Sequence, residues 1–586
     1  MRITSCFLLL FYFLLTLSCG SKSARDIHSI SDLFHKSQFE TLYPEFDKKE
    51  LNISFQHFSS DAAPVDSFYK ANQYESVWVK DTFELSRIDT LLYYLDNSTE
   101  HGLNPDLFEA TTIRSIKDSV MNGLFSDSMP ALYVALNRLE SKATYATFHY
   151  ATGMKYGFID QKKNFANSHF ISLQQPDSAF YEFVFANMES RLAYLLSELQ
   201  PKDAVYSLMQ EELKYYRSLS DSTFNKIEIK SSPKNYKLND ADSKVMPLIA
   251  KRLMLTGELT RTEDADSIYK TLTPELMEAI QTFRRKNSYP EDEEVGKITI
   301  DALNRPMSYY VDKIVANLER YRWKRQTPIP AKYVEVNVAA FHLKAIEPGY
   351  KPLIMNVCVG TLKNQTPMME CEISIVNLNP TWGVPRSIIE NEMYYSIQKD
   401  PNYFKRNRMK VSHQGQVVNT DSIDWSQYTD PKRFPFSVRQ DSGDGNSLGR
   451  VKFLFDNPFS VYLHDTPSKR AFNYKNRAVS HGCVRLQKPM DFAYFCLANK
   501  DSLYYDRLRH TVDQPALSQQ GKELQKQKKL TKVSDVISLD EKVLLFIDYF
   551  TAYALPATEE KKLYFADDVY GFDERINTAL KKLKKL

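Results

Sequence analysis

Apolar residues in the first part of the chain recur at steps of three and four, the spacing of one face of an α-helix. The stripes are Leu85, Ile88, Leu91, Leu92 and Leu95, followed by others within Leu132–Tyr150 and Met209–Tyr216. The glycine- and proline-containing turn Gly102–Pro105 interrupts the first stripe, as helix-breaking residues should. We therefore predict a helical scaffold domain over residues 61–235, ending in the polar stretch Ser231–Asn235.

The hydrophobic period changes to two near residue 331. Val334, Val336 and Val338 alternate with polar residues. Further β-branched runs are Leu353–Val359, Ile373–Val376, Val451–Phe455 and Val461–Leu463. Because these patterns are typical of strands, residues 331–505 should form a mainly β domain, either a β-sandwich or a partly closed sheet. The chain is therefore predicted to be a multidomain α+β protein.

A long polar segment, residues 386–444, separates two of these strands. Loops of that length are uncommon in compact domains and are often functional, so we expect it to be a lid over the site of the β domain. Residues 506–586 are interpreted as a C-terminal helical region. Its dense basic tract, Lys522–Lys532, fits a solvated helix face better than a binding patch.

A smaller unit, residues 236–306, lies between the two large domains. Thr273 and Pro274 have the chemistry of an N-cap followed by a first-turn proline, and the apolar residues after them share one helix face. Residues 307–330 are expected to be a helical linker into the β domain.

Residues 1–19 have the pattern of an export signal. The apolar run Cys6–Leu17 is too short to span a bilayer comfortably but suits the core of a signal peptide. The end of this run resembles a bacterial lipoprotein cleavage site, in which Cys19 would be lipidated and would anchor the protein on the periplasmic side of the cell envelope. An ordinary signal peptide or a short uncleaved anchor is the alternative. Residues 20–60 would then be an N-terminal extension.

The composition of the chain limits the classes of partner and of cysteine site that we expect for this protein. The 586 residues are 43% hydrophobic and 25% charged, which is enough to build several cores, and the net charge of +3 does not favour nucleic acid. The high aromatic content suits aromatic-rich cores. Four cysteines lie in the body of the chain without the spacing of a zinc site or the density of a disulfide scaffold: Cys358, Cys371, Cys483 and Cys496.

The groups that acyl transfer requires are concentrated in one segment, Ser480–Arg485, with the sequence Ser-His-Gly-Cys-Val-Arg. Cys483 is the candidate nucleophile. Because a free thiol has a pKa of about 8.5, a neighbouring base is needed, and His464 at a strand end is our choice. Gly482 allows a close approach to substrate, and the N–H groups of Gly482 and Cys483 are candidate donors to the oxyanion.

The motifs around this segment resemble an L,D-transpeptidase of the YkuD family, in particular its large YcbB-like branch. They are Gln365–Pro367, Asn379–Pro385, Gly449–Phe453, Tyr462–Pro467 and Ser480–Arg485, with weaker similarity at Gly102–Pro105 and Asp567–Asp573. Residues 236–306 resemble the small helical peptidoglycan-binding domain of wall enzymes, although Glu294-Val295 replaces the usual Asp-Gly. This unit is expected to bind glycan, with a spacer role as the alternative.

The family resemblance implies a reaction on peptidoglycan stem peptides. Cys483 would attack the carbonyl of the third residue of a tetrapeptide stem, release D-Ala and pass the acyl group to an amine of another stem, giving a 3→3 crosslink. This chemistry uses no cofactor and no metal, and carbapenems should acylate the same thiol. An L,D-carboxypeptidase, a wall-cleaving cysteine peptidase and a non-catalytic wall-binding lipoprotein remain alternatives. Partners in wall synthesis are not indicated by any motif.

Four further residues are candidates with open alternatives. His481 is a candidate catalytic residue that polarises the thiol or orients the loop, or else a packed histidine. Arg485 would bind a substrate carboxylate, or form an internal ion pair. Ser480 would hydrogen-bond within the site or cap the turn. Trp382 would line the donor groove or be buried.

Overall fold

The computed structural model describes residues 36–56, 63–79, 85–165, 169–170, 175–219, 225–228, 235–323, 329–555 and 562–583. The predicted export signal with Cys19, and parts of the N-terminal extension and of the linker, lie outside these ranges. Within them, no helix combines the length and the apolar character needed to cross a membrane.

The N-terminal half is helical, as the apolar period predicts. Its helices are Lys48–Gln56, Ala63–Ala71, Leu85–Asp96, Ala110–Met121, Met129–Tyr156, Gln161–Phe165, Ser178–Met188, Leu192–Glu198, Ala204–Ser218, Val245–Thr256, Ala265–Ile268, Pro274–Lys286, Lys297–Leu303 and Met307–Trp323. The stripe residues Ile88, Leu91 and Leu95 are buried in one core, which the long helix Met129–Tyr156 also enters.

The unit at residues 236–306 has a hydrophobic core of its own. The side chain of Thr273 accepts a hydrogen bond from the N–H of Leu276, so it is the N-cap of the helix Pro274–Lys286, as its sequence indicates. Phe283, on the inner face of this helix, is buried. Helix Met307–Trp323 then leads towards the β domain, and its inner face joins the core of that domain.

Sixteen strands are found in the described part of the chain. They are β1 (His169–Phe170), β2 (Tyr333–Asn337), β3 (His342–Ile346), β4 (Leu353–Gly360), β5 (Met368–Leu378), β6 (Trp382–Gly383), β7 (Met409–His413), β8 (Gln416–Val417), β9 (Phe436–Gln440), β10 (Val451–Phe455), β11 (Leu463–His464), β12 (Ala478–Ser480), β13 (Val484–Leu486), β14 (Val536–Asp548), β15 (Ala552–Tyr553) and β16 (Tyr564–Phe565). Helices of the β domain and beyond it are Pro489–Cys496, Ser502–Thr511, Gln519–Lys526 and Phe572–Lys581.

Ten of these strands form one mixed sheet, with the order β1-β5-β10-β11-β13-β4-β3-β2-β14 and with β12 beside β4. Strand β14 pairs with β2 on one side and with β5 on the other, so eight strands form a closed ring of hydrogen bonds. The sheet is therefore closed, whereas the sequence predicted a β-sandwich or a partly closed sheet. Closure leaves β2 and β5 without a free edge at this seam.

The prediction that residues 506–586 are helical is wrong for one long segment. Strand β14 lies within that range and is a central strand of the sheet. Val543, Leu545 and Ile547 alternate along it and are buried, whereas the residues between them are only partly buried. The buried residues at the C-terminal end of β14 thus recur every second position, which is the pattern of a strand and not of a helix.

The long polar segment is a folded subdomain rather than an irregular loop. Strands β6, β9, β7 and β8 form a separate four-stranded sheet, and short helices Arg386–Ile388, Tyr394–Lys399 and Tyr403–Arg406 pack on it. Phe404 and Trp425 lie in its own apolar core. We call this subdomain, residues 382–440, the cap.

Candidate active site

The two predicted catalytic side chains lie on one face of neighbouring strands. Strands β11 and β13 are parallel, with Leu463 paired to Val484 and His464 paired to Arg485. Side chains alternate along each strand, and Cys483 stands two positions before Arg485, so the thiol and the imidazole share the face opposite the buried Leu463 and Val484. Paired strands are about 4.8 Å apart, which brings the two groups into one site.

His464 is held as a neutral imidazole. Its Nδ1 is hydrogen-bonded to the carbonyl oxygen of Asp465, which can only accept, so Nδ1 carries the proton and the Nε2 lone pair is free. The ring is buried, and this burial, together with the nearby charges of Arg485 and Lys452, lowers the pKa of His464 to about 3. The imidazole is therefore uncharged at neutral pH.

The thiol of Cys483 is half-buried, and its Sγ lies 4.0 Å from the carbonyl oxygen of Ser460. Burial raises the pKa of Cys483, although Tyr462, Lys452 and other nearby groups act in the opposite direction. A protonated thiol beside a neutral imidazole is thus the resting state.

Two residues of this face were missed in the sequence. The hydroxyl of Tyr462 lies near the thiol of Cys483 and the side chain of Trp382, and burial together with the nearby thiol raises the pKa of Tyr462. The Tyr462 ring centroid is 5.6 Å from that of His464, and the Nζ of Lys452 is 3.8 Å from the Tyr462 ring. Lys452 pairs with His464 across β10 and β11. The signal was available, because alternation along these strands places both residues on the face of the histidine.

The loop before Cys483 is held by hydrogen bonds of its own. The hydroxyl of Ser480 donates to the carbonyl of Cys483 and accepts the N–H of Gly482, at 2.5 and 3.1 Å. Gly482 has a φ of +115°, which other residues rarely adopt. Ser480 therefore caps the turn, the second of its two predicted roles. The N–H of Gly482 is already used, so the predicted pair of oxyanion donors reduces to the N–H of Cys483, which has no acceptor among the described residues.

His481 is turned towards the cap. Its Nε2 is hydrogen-bonded to a carboxylate oxygen of Glu392, and the ring is partly exposed. Of the predicted alternatives, this contact fits an orienting role for the loop better than one in proton transfer.

Arg485 borders the cavity with unsatisfied hydrogen-bonding capacity. Its Nε is buried without a hydrogen-bond partner, and no carboxylate of the described residues forms an ion pair with it. The internal ion pair that the sequence left open is thus absent from the described part of the chain. The guanidinium is suited to an anionic group that enters from solvent.

A cavity of about 650 Å³ separates the cap from the sheet, a size usual for ligand sites. Its lining from the cap includes Trp382, Ile388, Glu392, Met393, Tyr403 and Met409, and its lining from the sheet includes Lys452, Tyr462, His464, Cys483 and Arg485. Trp382 lines this groove, as one of its predicted roles requires. A molecule that reaches the sulfur is covered by the cap.

A cysteine and a histidine facing one covered cavity is the arrangement expected of enzymes that transfer acyl groups through a thiol. Comparison with known protein families matches two parts of the chain. Residues 331–504 match the YkuD L,D-transpeptidase catalytic domain, and residues 63–213 match a Scaffold domain. The resemblance of the motifs to the YkuD L,D-transpeptidases is thereby confirmed for the catalytic domain, and the chain carries this domain together with a scaffold domain.

One relative is a Haemophilus influenzae protein described as a "Putative L,D-transpeptidase". It is 33% identical over 273 residues, which are 46% of this chain and 50% of the relative. The match thus spans about half the length of each protein.

Proposed function

We propose that this protein is an L,D-transpeptidase that forms 3→3 crosslinks between peptidoglycan stem peptides, and so acts in cell-wall biogenesis. The observation that carries the proposal is the shared position of Cys483 and His464 on one face of a cavity within the matched catalytic domain. The acyl donor is a tetrapeptide stem, and the acceptor is the side-chain amine of a second stem.

In the first half-reaction, the sulfur of Cys483 attacks the carbonyl carbon of the third stem residue while its proton passes to Nε2 of His464. The carbonyl oxygen becomes an oxyanion, which the N–H of Cys483 and the hydroxyl of Tyr462 can stabilise. The carbon–nitrogen bond to D-Ala then breaks as His464 returns the proton to the leaving amine. The products are free D-Ala and a thioester on Cys483.

In the second half-reaction, the acceptor amine attacks the thioester, and His464 removes its proton. The carbon–sulfur bond breaks, an amide forms and the thiol regains the proton. The cap lies over the cavity that contains the thiol, and we infer that this cover limits the access of water to the thioester and so favours an amine as acceptor.

The remaining parts of the chain fit the same setting. We propose that the leader exports the protein, that lipidated Cys19 anchors it on the periplasmic side of the envelope, and that residues 236–306 bind glycan. The proposal rests on the pattern of residues in the leader and on the sequence resemblance of the middle unit.

Incubation of the purified protein with tetrapeptide-rich muropeptides tests the function. We expect crosslinked dimers and stoichiometric D-Ala by mass spectrometry, because each transfer releases one D-Ala. Tripeptides without dimers would instead indicate a carboxypeptidase. Severed crosslinks would indicate a peptidase, and unchanged substrate would indicate a binding protein.

The free guanidinium of Arg485 predicts a specific substrate preference. We propose that it binds the terminal carboxylate of the donor stem. A hydrogen bond to a charged group typically contributes about 1.5–3 kcal/mol, which corresponds to a change of about 10- to 100-fold in affinity. Arg485→Gln should therefore raise the KM for a tetrapeptide donor by about that factor. The variant should also lose the preference of the wild type for the free acid over the C-terminal amide of the same peptide.

A matched control is available in the cap. Arg433 is exposed, is paired with Asp430 and lies outside the cavity, so Arg433→Gln should leave both substrates unaffected. If Arg485→Gln still distinguishes acid from amide as the wild type does, the terminal carboxylate is bound elsewhere.

A further inference from the structure

The C-terminal motif Asp567–Asp573 has no part in the mechanism above, yet one of its residues reaches the active-site loops. Tyr570 is buried, and its hydroxyl donates to the carbonyl of Gly360 at 2.6 Å and accepts the N–H of Thr366 at 3.2 Å. Burial raises the pKa of Tyr570 to about 12, so the hydroxyl keeps its proton. These two bonds hold the loop between β4 and β5 at both of its ends.

Thr366 continues the chain of hydrogen bonds to the nucleophile. Its hydroxyl accepts the N–H of Gly360 at 2.9 Å and donates to the carbonyl of Gly482 at 2.7 Å. Thr366 is buried and does not line the cavity. The carbonyl of Gly482 is thus held on the side of the loop that faces away from the substrate.

The geometry of the peptide bond gives this contact a consequence for catalysis. The carbonyl of Gly482 and the N–H of Cys483 belong to one peptide unit, and in a planar trans peptide they point in opposite directions. A carbonyl held by Thr366 on the buried side therefore directs the N–H of Cys483 to the other side, where the thiol opens into the cavity.

We propose that Tyr570 is a positioning residue for the acyl-transfer reaction. Through Thr366 it fixes the orientation of the 482–483 peptide, so that the N–H of Cys483 points at the oxyanion. The inference rests on the proposed function, and it assigns part of the active site to a segment outside the matched catalytic domain, residues 331–504.

The segment that carries Tyr570 is itself well fixed. The N–H of Tyr570 donates to the hydroxyl of Tyr549, which directly follows β14 and donates to the carboxylate of Asp568 at 2.6 Å. Asp568 also accepts the N–H groups of Phe572 and Asp573, each at 2.8 Å. The hydroxyl of Tyr570 is therefore anchored to the sheet and is suited to hold a loop in place.

Two chemical probes separate a positioning role from a purely structural one. p-Nitrophenyl acetate acylates the thiol through a tetrahedral oxyanion, whereas iodoacetamide alkylates it without one. Tyr570→Phe should slow acetylation of Cys483 by about tenfold and leave alkylation unchanged. Thr366→Val should slow acetylation by about 100-fold, the effect of losing an oxyanion donor, and Thr366→Ser should restore it.

The matched control is Tyr43→Phe. Tyr43 is equally buried, and its hydroxyl donates to the carbonyl of Val120 at 2.7 Å in the scaffold domain, so its loss should change neither rate. Equal slowing of acetylation and alkylation in Tyr570→Phe, or no slowing of either, would overturn the inference. A wild type that is acetylated but forms no dimers would refute the proposed substrate and leave the comparison of rates intact. A wild type that takes no acetyl group would overturn both proposals.

Discussion

Replacing Cys483 by alanine should abolish crosslinked dimers and D-Ala release, with a loss of at least about 10⁴-fold, as for other nucleophiles of covalent catalysis. The physical reason is that Cys483 is the one thiol among the described residues that line the cavity, so its loss removes the sulfur that would carry the acyl group. Intact-mass analysis supplies a second measurement. The wild type should gain one carbapenem adduct, and the Cys483→Ala protein should gain none.

Cys371 offers the matched control for this substitution. It is a half-buried thiol of the same domain, it does not line the cavity, and burial raises its pKa to about 12. Cys371→Ala should therefore keep both the dimers and the adduct. Undiminished dimer formation by Cys483→Ala would remove this residue from the mechanism, and an adduct on that variant would show that the carbapenem acylates another group.

The two residues of the proposed catalytic pair could be selected from sequence because their signals are local. Cys483 and His464 lie in short motifs whose order matches the family, and the alternation of β11 predicts which side chains share a face. The same alternation places Tyr462 and Lys452 on this face, so the signal for these two residues is also local.

Other features depend on contacts between distant segments and could not be predicted from local patterns. The N–H of Gly482 is consumed by Ser480 only because of the backbone path of the loop, and the carbonyl of Gly482 is bound by Thr366, 116 positions earlier in the chain. The C-terminal strand pairs with β2 and β5 across a still larger separation in sequence. Because helical patterns lie on either side of this strand in the sequence, local patterns predict a helical region there.

For the cap, the length of the segment predicts its position over the site, but the sequence pattern does not predict its fold. A polar stretch of this size predicted a covering element, yet its own sheet and its core around Phe404 and Trp425 follow from contacts within the segment. The hydrogen bond between Nε2 of His481 and the carboxylate of Glu392 links the cap to the loop that precedes Cys483. The cap is thus a covering element with a defined fold and a direct contact to this loop.

The pH dependence of acylation should change completely when His464 is replaced by glutamine. In the wild type the pKa of His464 is about 3, so the base is neutral and competent at every pH from 6 to 8, and the rate should be flat over that range. Without the base only the thiolate reacts. At pH values below the pKa of Cys483, the thiolate population rises about tenfold for each unit by which the pH increases. Burial raises that pKa, so the rise should continue to pH 8 and beyond.

Stopped-flow acylation of Cys483 by a carbapenem between pH 6 and 9 measures this difference. At pH 7 the variant should be slower by about 10²–10⁴-fold, the usual contribution of a general base, and the gap should narrow as the pH rises. His413→Gln, at a half-buried cap position outside the cavity, should retain the flat profile. A wild-type rate that falls on acidification with a midpoint near 6.5 would mean that His464 titrates as an ordinary exposed imidazole. A His464→Gln variant as fast as the wild type at pH 6 would exclude this histidine as the base, because a protonated thiol cannot attack unaided.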